Sequence, residues 1–283
     1  NSGTVSAQGS HALHIVAATT NTGLLEADGD GATDGSVPAG GLHLDIDIDN
    51  RSGTIEARNN GSVLLANAIT ILGGTLKTVA NGDNSQITNI GATVLDGGTD
   101  GMAVDGVVFA GAFSTITLTG LINGESYRDD LVGGIDARIV SGDGTVILSN
   151  ATLTGGELQS TSASGMQIAG TTTLDGAANP GAIGLDGVLL VGIGDTLVVD
   201  GEIDAGLGNS ATIEVNGGLL RVGRAGADSV LLAPGAHAPP AGQPHGVVQL
   251  DGGASILAGL DGSSALNNTW TIRGQGHLGN GGL

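Results

Sequence analysis

The chain has 283 residues and carries 28 acidic against 8 basic side chains, a formal net charge of −20. That balance repels phosphate backbones and anionic lipid, which sets nucleic-acid binding and direct membrane binding aside. Cysteine is absent, so disulfides and Cys-based zinc sites are excluded, and no apolar run approaches the ~18 residues of a membrane helix.

Glycine supplies 54 residues and aromatic side chains only 1%, while the apolar 40% is mostly Ala, Val, Ile and Leu. Such a composition suits a thin core of small branched side chains better than a conventional globular one. Glycine does not recur at every third position, so collagen is excluded.

In chain order, Asn1-Ser2-Gly3-Thr4-Val5-Ser6-Ala7, Asn21-Thr22-Gly23-Leu24-Leu25-Glu26-Ala27 and Asn50-Arg51-Ser52-Gly53-Thr54-Ile55-Glu56-Ala57 share one formula, with Arg51 inserted. The spacings are 20 (21−1) and 29 (50−21), and the longer one contains a polar insertion from Asp28 to Gly40. Removing it leaves a period near 20 residues, or three short strands and three corners per turn. Leu42–Asp49 reads LHLDIDID, which predicts one strand with Leu42, Leu44, Ile46 and Ile48 inward and Asp45, Asp47 and Asp49 sharing the outer face. Through Asn50–Val79, β-branched runs alternate with Asn59-Asn60-Gly61 and Gly73-Gly74, residues that tolerate the left-handed geometry of sharp corners.

From Gly73 a larger repeat appears. Gly73-Gly74-Thr75-Leu76 matches Gly155-Gly156-Glu157-Leu158, Gly91–Gly97 matches Gly170–Gly176, Asp105-Gly106-Val107 matches Asp186-Gly187-Val188, and Thr115–Gly120 matches Thr196–Gly201. The offsets lie between 79 (170−91) and 82 (155−73), a duplicated block of about four coils. The pattern breaks at Pro234–Gly246, where four of the six prolines lie, and resumes at Val247. Proline cannot donate to a ladder, so this stretch is expected to leave the stack at a corner. The expectation is an all-β fold: a right-handed parallel β-helix (β-solenoid) forming a single domain over residues 1–283, with loop insertions at its corners. Asn1 and Leu283 both fall within the repeat pattern, so the chain is expected to be a segment of a longer repeat protein.

The N-x-G-T-[IV]-x-A formula, the G-G-T-L turns, the T-T-L-D-G segments and the closing G-x-G-x-L-G-N-G-G-L resemble the β-helical repeats of giant secreted bacterial proteins. These include filamentous-haemagglutinin-like adhesins and autotransporter passengers. The resemblance implies an extracellular or cell-surface stalk, without enzymatic activity, that displays loops for attachment. Its implied partners are host-cell, neighbouring-cell or surface glycans and proteins, together with adjacent repeats of the same polypeptide. Two alternatives stand beside it: a polysaccharide-active β-helix, and a subunit that self-associates end to end into filaments.

Candidate sites follow from where the repeat is interrupted. Asp28, Asp30 and Asp34 in DGDGATDG make a candidate calcium loop, the one cofactor considered, although Ala32 stands where an EF-hand requires Asp or Asn. Gly124–Gly134 holds Tyr127, the only tyrosine, beside Arg128, and such pairs are enriched in contact sites, so both are candidate ligand-binding residues. His11, His14, His43, His237, His245 and His277 show no metal-ligand spacing. No catalytic residue is expected. Carboxylates are plentiful, but Trp270 and Tyr127, the aromatic platforms that sugar chemistry would use, are far apart in the repeat order.

Overall fold

The computed structural model describes residues 1–9, 11–29, 41–79, 85–124, 137–161, 165–178, 182–205, 211–223, 229–233, 246–252, 255–259 and 265–279. Among them are 31 strands and no helix. They group into two compact units that divide between Val146 and Ile147.

The first unit contains β1 (Thr4–Gln8), β2 (Ala12–Ile15), β3 (Thr19–Thr20), β4 (Leu24–Asp28), β5 (Gly41–Leu44), β6 (Ile48–Asp49), β7 (Thr54–Arg58) and β8 (Ser62–Leu65). It continues with β9 (Ala68–Leu72), β10 (Gly74–Thr78), β11 (Gln86–Asn89), β12 (Ala92–Asp96), β13 (Met102–Asp105), β14 (Val107–Ala110), β15 (Thr115–Gly124) and β16 (Arg138–Ser141). Strands pair in parallel with the strand three places on, or two places on where β15 stands for two strands (β13–β15 and β14–β16), giving three ladders. One is β1-β4-β7-β10-β13. The second is β2-β5-β8-β11-β14-β16. The third is β3-β6-β9-β12-β15. β15 belongs to two ladders: its first half pairs with β12, and Ile122 onward pairs with β13. Gly120, at φ +68°, takes the bend between the halves.

Alternation along each strand sends every second residue into the core, and register stacks those residues into columns. The columns are Leu25-Ile55-Leu76-Val104, Leu42-Val63-Ile87-Val108-Ile139 and Ile48-Ile71-Leu95-Leu118, all buried. Each such side chain contributes about 1.5–3 kcal/mol relative to exposure. One column is polar. Asn1 Nδ2 donates to Asn21 Oδ1 (2.9 Å), Asn21 Nδ2 to Asn50 Oδ1 (2.7 Å) and Asn50 Nδ2 to the Gly73 carbonyl (3.3 Å). The repeated Asn of the N-x-G formula is therefore a hydrogen-bonded ladder, exposed at Asn1 and buried at Asn21 and Asn50.

The single strand expected over Leu42–Asp49 is corrected: it is two, β5 and β6, with a corner over Asp45–Asp47. Leu42, Leu44 and Ile48 are buried as expected, whereas Ile46 is half-buried in the corner. The aspartates do not share one strand face, because Asp45 and Asp47 stand in the corner and only Asp49 is in a strand, and each has a different partner. His14 Nδ1 bonds Asp45, the Thr70 amide donates to Asp47 Oδ1 (2.6 Å), and Arg51 donates twice to Asp49 (2.9 and 2.7 Å).

β17 (Thr145–Thr154) spans the division between the units. The second unit contains β18 (Glu157–Ser160), β19 (Met166–Ala169), β20 (Thr171–Gly176), β21 (Ile183–Asp186), β22 (Val188–Val191), β23 (Thr196–Ala205), β24 (Thr212–Asn216) and β25 (Leu219–Val222). It ends with β26 (Ser229–Ala233), β27 (Val247–Asp251), β28 (Ile256–Gly259), β29 (Ala265–Asn268), β30 (Thr271–Gly274) and β31 (His277–Leu278). Leu197-Leu220-Leu257 and Val191-Val215-Leu250 are buried in register here.

The duplicated block is visible in backbone conformation. Gly73 and Gly74 have φ +61° and +74°, Gly155 and Gly156 +66° and +74°, and Gly120 and Gly201 +68° and +77°. At Gly74 the geometry is obligatory, because a Cβ would stand 1.9 Å from the Asn50 carbonyl oxygen.

Candidate functional site

The outward positions of the first ladder build a charged row. Register stacks Ser6, Glu26, Glu56, Lys77 and Asp105 side by side, with Thr4, Leu24, Thr54 and Thr75 in the row beside them. These strands border an open groove of about 690 Å³ lined by Thr4, Thr22, Ser52, Thr54 and Thr75 hydroxyls and by Glu56, Lys77 and Asp105.

Glu26 and Glu56 are direct register neighbours, about 4.8 Å apart along the ladder. Two like charges so placed repel, and Arg58 offsets them. Its Nη2 lies 3.2 Å from Glu26 and 3.1 Å from Asp28, and its Nε lies 4.0 Å from Glu56. The Glu26 field, ahead of the hydrogen bond from Arg58 to Asp28, holds the guanidinium pKa above its ordinary value. The Glu26 side chain is only 4% exposed, so removing Arg58 would strand a buried charge. Farther along, Lys77 is ion-paired with Asp105. The polar lining of the groove is thus hydroxyl-bearing side chains, the Lys77–Asp105 pair and Glu56.

Of the calcium candidates, Asp28 ends β4, with Oδ1 accepting from Asn59 Nδ2 (2.7 Å) and Oδ2 from Arg58 Nη2 (3.1 Å), so a cation there would compete with Arg58. Asp30 and Asp34, like Tyr127 and Arg128, lie outside the described residues. Trp270 is 4% exposed, and a Cβ on Gly246 would fall 2.3 Å from its ring. It is a core residue rather than a sugar platform.

The structure brings together three residues that motif reading left apart. His14 and His43 are register partners on β2 and β5, with ring centroids 4.4 Å apart and planes inclined at 50°. Asp45 Oδ2 lies 2.6 Å from His14 Nδ1. Burial, reinforced by the neighbouring His14 and opposed by Asp45, lowers the His43 pKa. The signal was present in the sequence: the spacing of 29 between Asn21 and Asn50 also separates His14 from His43 (43−14).

In the second unit, Glu157, Asp186, Asp200 and Asp204 are buried, although composition marks them only as surface acids. Asp186 Oδ2 accepts from Gln159 Nε2 (3.2 Å) across the β18–β21 ladder. No spacing signal marks these acids, since their burial depends on what covers the strand face. Among the described residues no group of three or more His, Asp or Glu is placed to hold a metal ion. Compared with known protein families, curated proteins and solved structures, the chain matches none.

Proposed function

We propose that the chain is a segment of an extracellular β-helical stalk of a bacterial surface or secreted protein, used for attachment to cells or surfaces. The observation that carries this reading is the parallel stacking of the first unit, in which core columns and the Asn ladder run from strand to strand in register among the described residues. A stack in which each layer is held by its neighbours is a stiff scaffold for display. In this reading each turn uses about 20 residues: the register steps Thr4 to Leu24 and Met102 to Ile122 are both 20, and Thr54 to Thr75 is 21. The longer steps, Leu24 to Thr54 (30) and Gly74 to Met102 (28), contain inserted residues. The turns are right-handed, as parallel strand crossovers are in about 98% of cases.

The test uses beads coated with the purified chain, applied to epithelial monolayers, to plastic and to one another. Attachment or clumping above albumin-coated beads is the expected result. Beads that stay at the control level on all three overturn the attachment role. Release of reducing sugar from a polysaccharide panel would replace it with the enzymatic alternative.

A further inference from the structure

We infer that His14 and His43 form a surface site for a divalent transition-metal ion of the copper or nickel type, with Asp45 orienting His14. Three observations converge. The first is spacing. Metal–nitrogen bonds of about 2.0–2.1 Å place each imidazole centroid about 3.2 Å from the ion, so two rings bound at about a right angle stand about 4.5 Å apart. The two rings stand 4.4 Å apart.

The second is tautomer. A carboxylate only accepts hydrogen bonds, so the Asp45 contact at 2.6 Å puts the His14 proton on Nδ1 and leaves the Nε2 lone pair for a ligand. A metal-binding histidine almost always donates its other ring N–H, and a carboxylate is one of the usual acceptors. Asn67 Nδ2, 3.5 Å from Asp45 Oδ1, approaches the same carboxylate from the next strand turn.

The third is access. The His14 side chain is 50% exposed and Asp45 19%, so an ion reaches the pair from solvent, with water completing its shell. The net charge of −20 raises the local cation concentration. Imidazole suits copper and nickel, whereas calcium takes oxygen ligands and is not expected here. Bound metal would clip β2 to β5 across the 29 positions between them (43−14), a span that includes the Asp28–Gly40 insertion.

The probe is Cu²⁺, titrated calorimetrically into the whole chain near neutral pH, with Ca²⁺ as the hard-cation control. Electron paramagnetic resonance counts the coordinating nitrogens. Cu²⁺ is expected to bind with two imidazole nitrogens, and His14→Gln or His43→Gln is expected to weaken it at least about tenfold and leave one. Asp45→Asn should keep both nitrogens and weaken binding about 10- to 100-fold. None of the three side chains is buried, and unchanged far-UV circular dichroism verifies that each variant folds. Wild-type affinity and a two-nitrogen signal in the His14→Gln/His43→Gln double variant would overturn the site. So would loss of binding in a His237→Gln/His245→Gln variant instead.

Discussion

Asn21 and Asn50 are fully buried, yet each has a hydrogen-bond partner above and below it in the stack. Their spacing was legible as an N-x-G formula, because the same corner recurs in each turn. That the Asn side chain points into the stack was not legible, since Asn is as common in exposed turns. The consequence is testable. Asn21→Ala removes the donor to Asn50 Oδ1 and the acceptor of the Gly23 amide, leaving buried polar groups without partners. The expected loss is about 1–3 kcal/mol in urea-unfolding free energy. Thr20→Ala, at a neighbouring exposed position, should stay within about 0.5 kcal/mol. Equal effects from the two would show that the Asn ladder contributes nothing particular.

Two copies of one corner separate what a turn needs from what this chain placed there. Gly111-Ala112-Phe113-Ser114 and Gly192-Ile193-Gly194-Asp195 correspond at the repeat offset of 81 (194−113), and each is closed by the same fourth-to-first backbone hydrogen bond of 3.1 Å. The third position is left-handed in both, at φ +60° for Phe113 and +86° for Gly194. Glycine takes this conformation freely, whereas a residue with a Cβ is strained by about 1–2 kcal/mol. Phe113 is fully exposed and regains none of that by packing. Phe113→Gly is therefore expected to stabilise the fold by up to about 1 kcal/mol, after the added freedom of the unfolded chain is subtracted. Gly194→Ala, whose Cβ would meet nothing within 4 Å, should destabilise it by about 1 kcal/mol through backbone strain alone. A less stable Phe113→Gly protein would mean that the ring makes a stabilising contact in solution. Corners like these limit how much of the fold the sequence disclosed. Glycine pairs and Asn-Asn-Gly announced their turns, but LHLDIDID concealed one, because alternation continues on either side of Asp45–Asp47 while the chain changes face. The groove was less legible still, since it depends on the lateral register of strands 20 to 30 residues apart.

Across the whole chain, stacking multiplies an excess of negative charge. Register sets Glu26 beside Glu56, and Asp175 beside Asp200. Arg58 and Lys77 relieve part of this in the first ladder, yet 28 acidic residues face only 8 basic ones. Two opposed effects of salt follow. Screening weakens the part-exposed Lys77–Asp105 pair, worth at most about 1 kcal/mol, and weakens the Arg58–Glu26 pair less, because Glu26 is buried. It also weakens repulsion among all the uncompensated acids, and that sum is larger because it grows with every carboxylate within a screening length. Raising NaCl from about 10 mM to about 100 mM shortens that length from about 30 Å to about 10 Å, which takes in carboxylates several ladder steps apart. The melting temperature is therefore expected to rise over this range, each 1 kcal/mol of relieved repulsion giving about 2–4 °C by scanning calorimetry. Chloride is the anion to use, because sulfate would add its own strengthening of apolar burial. A melting temperature that falls with NaCl would mean that the Arg58 and Lys77 pairs outweigh the self-repulsion, and Arg58→Met should then lower stability more at low salt than at high.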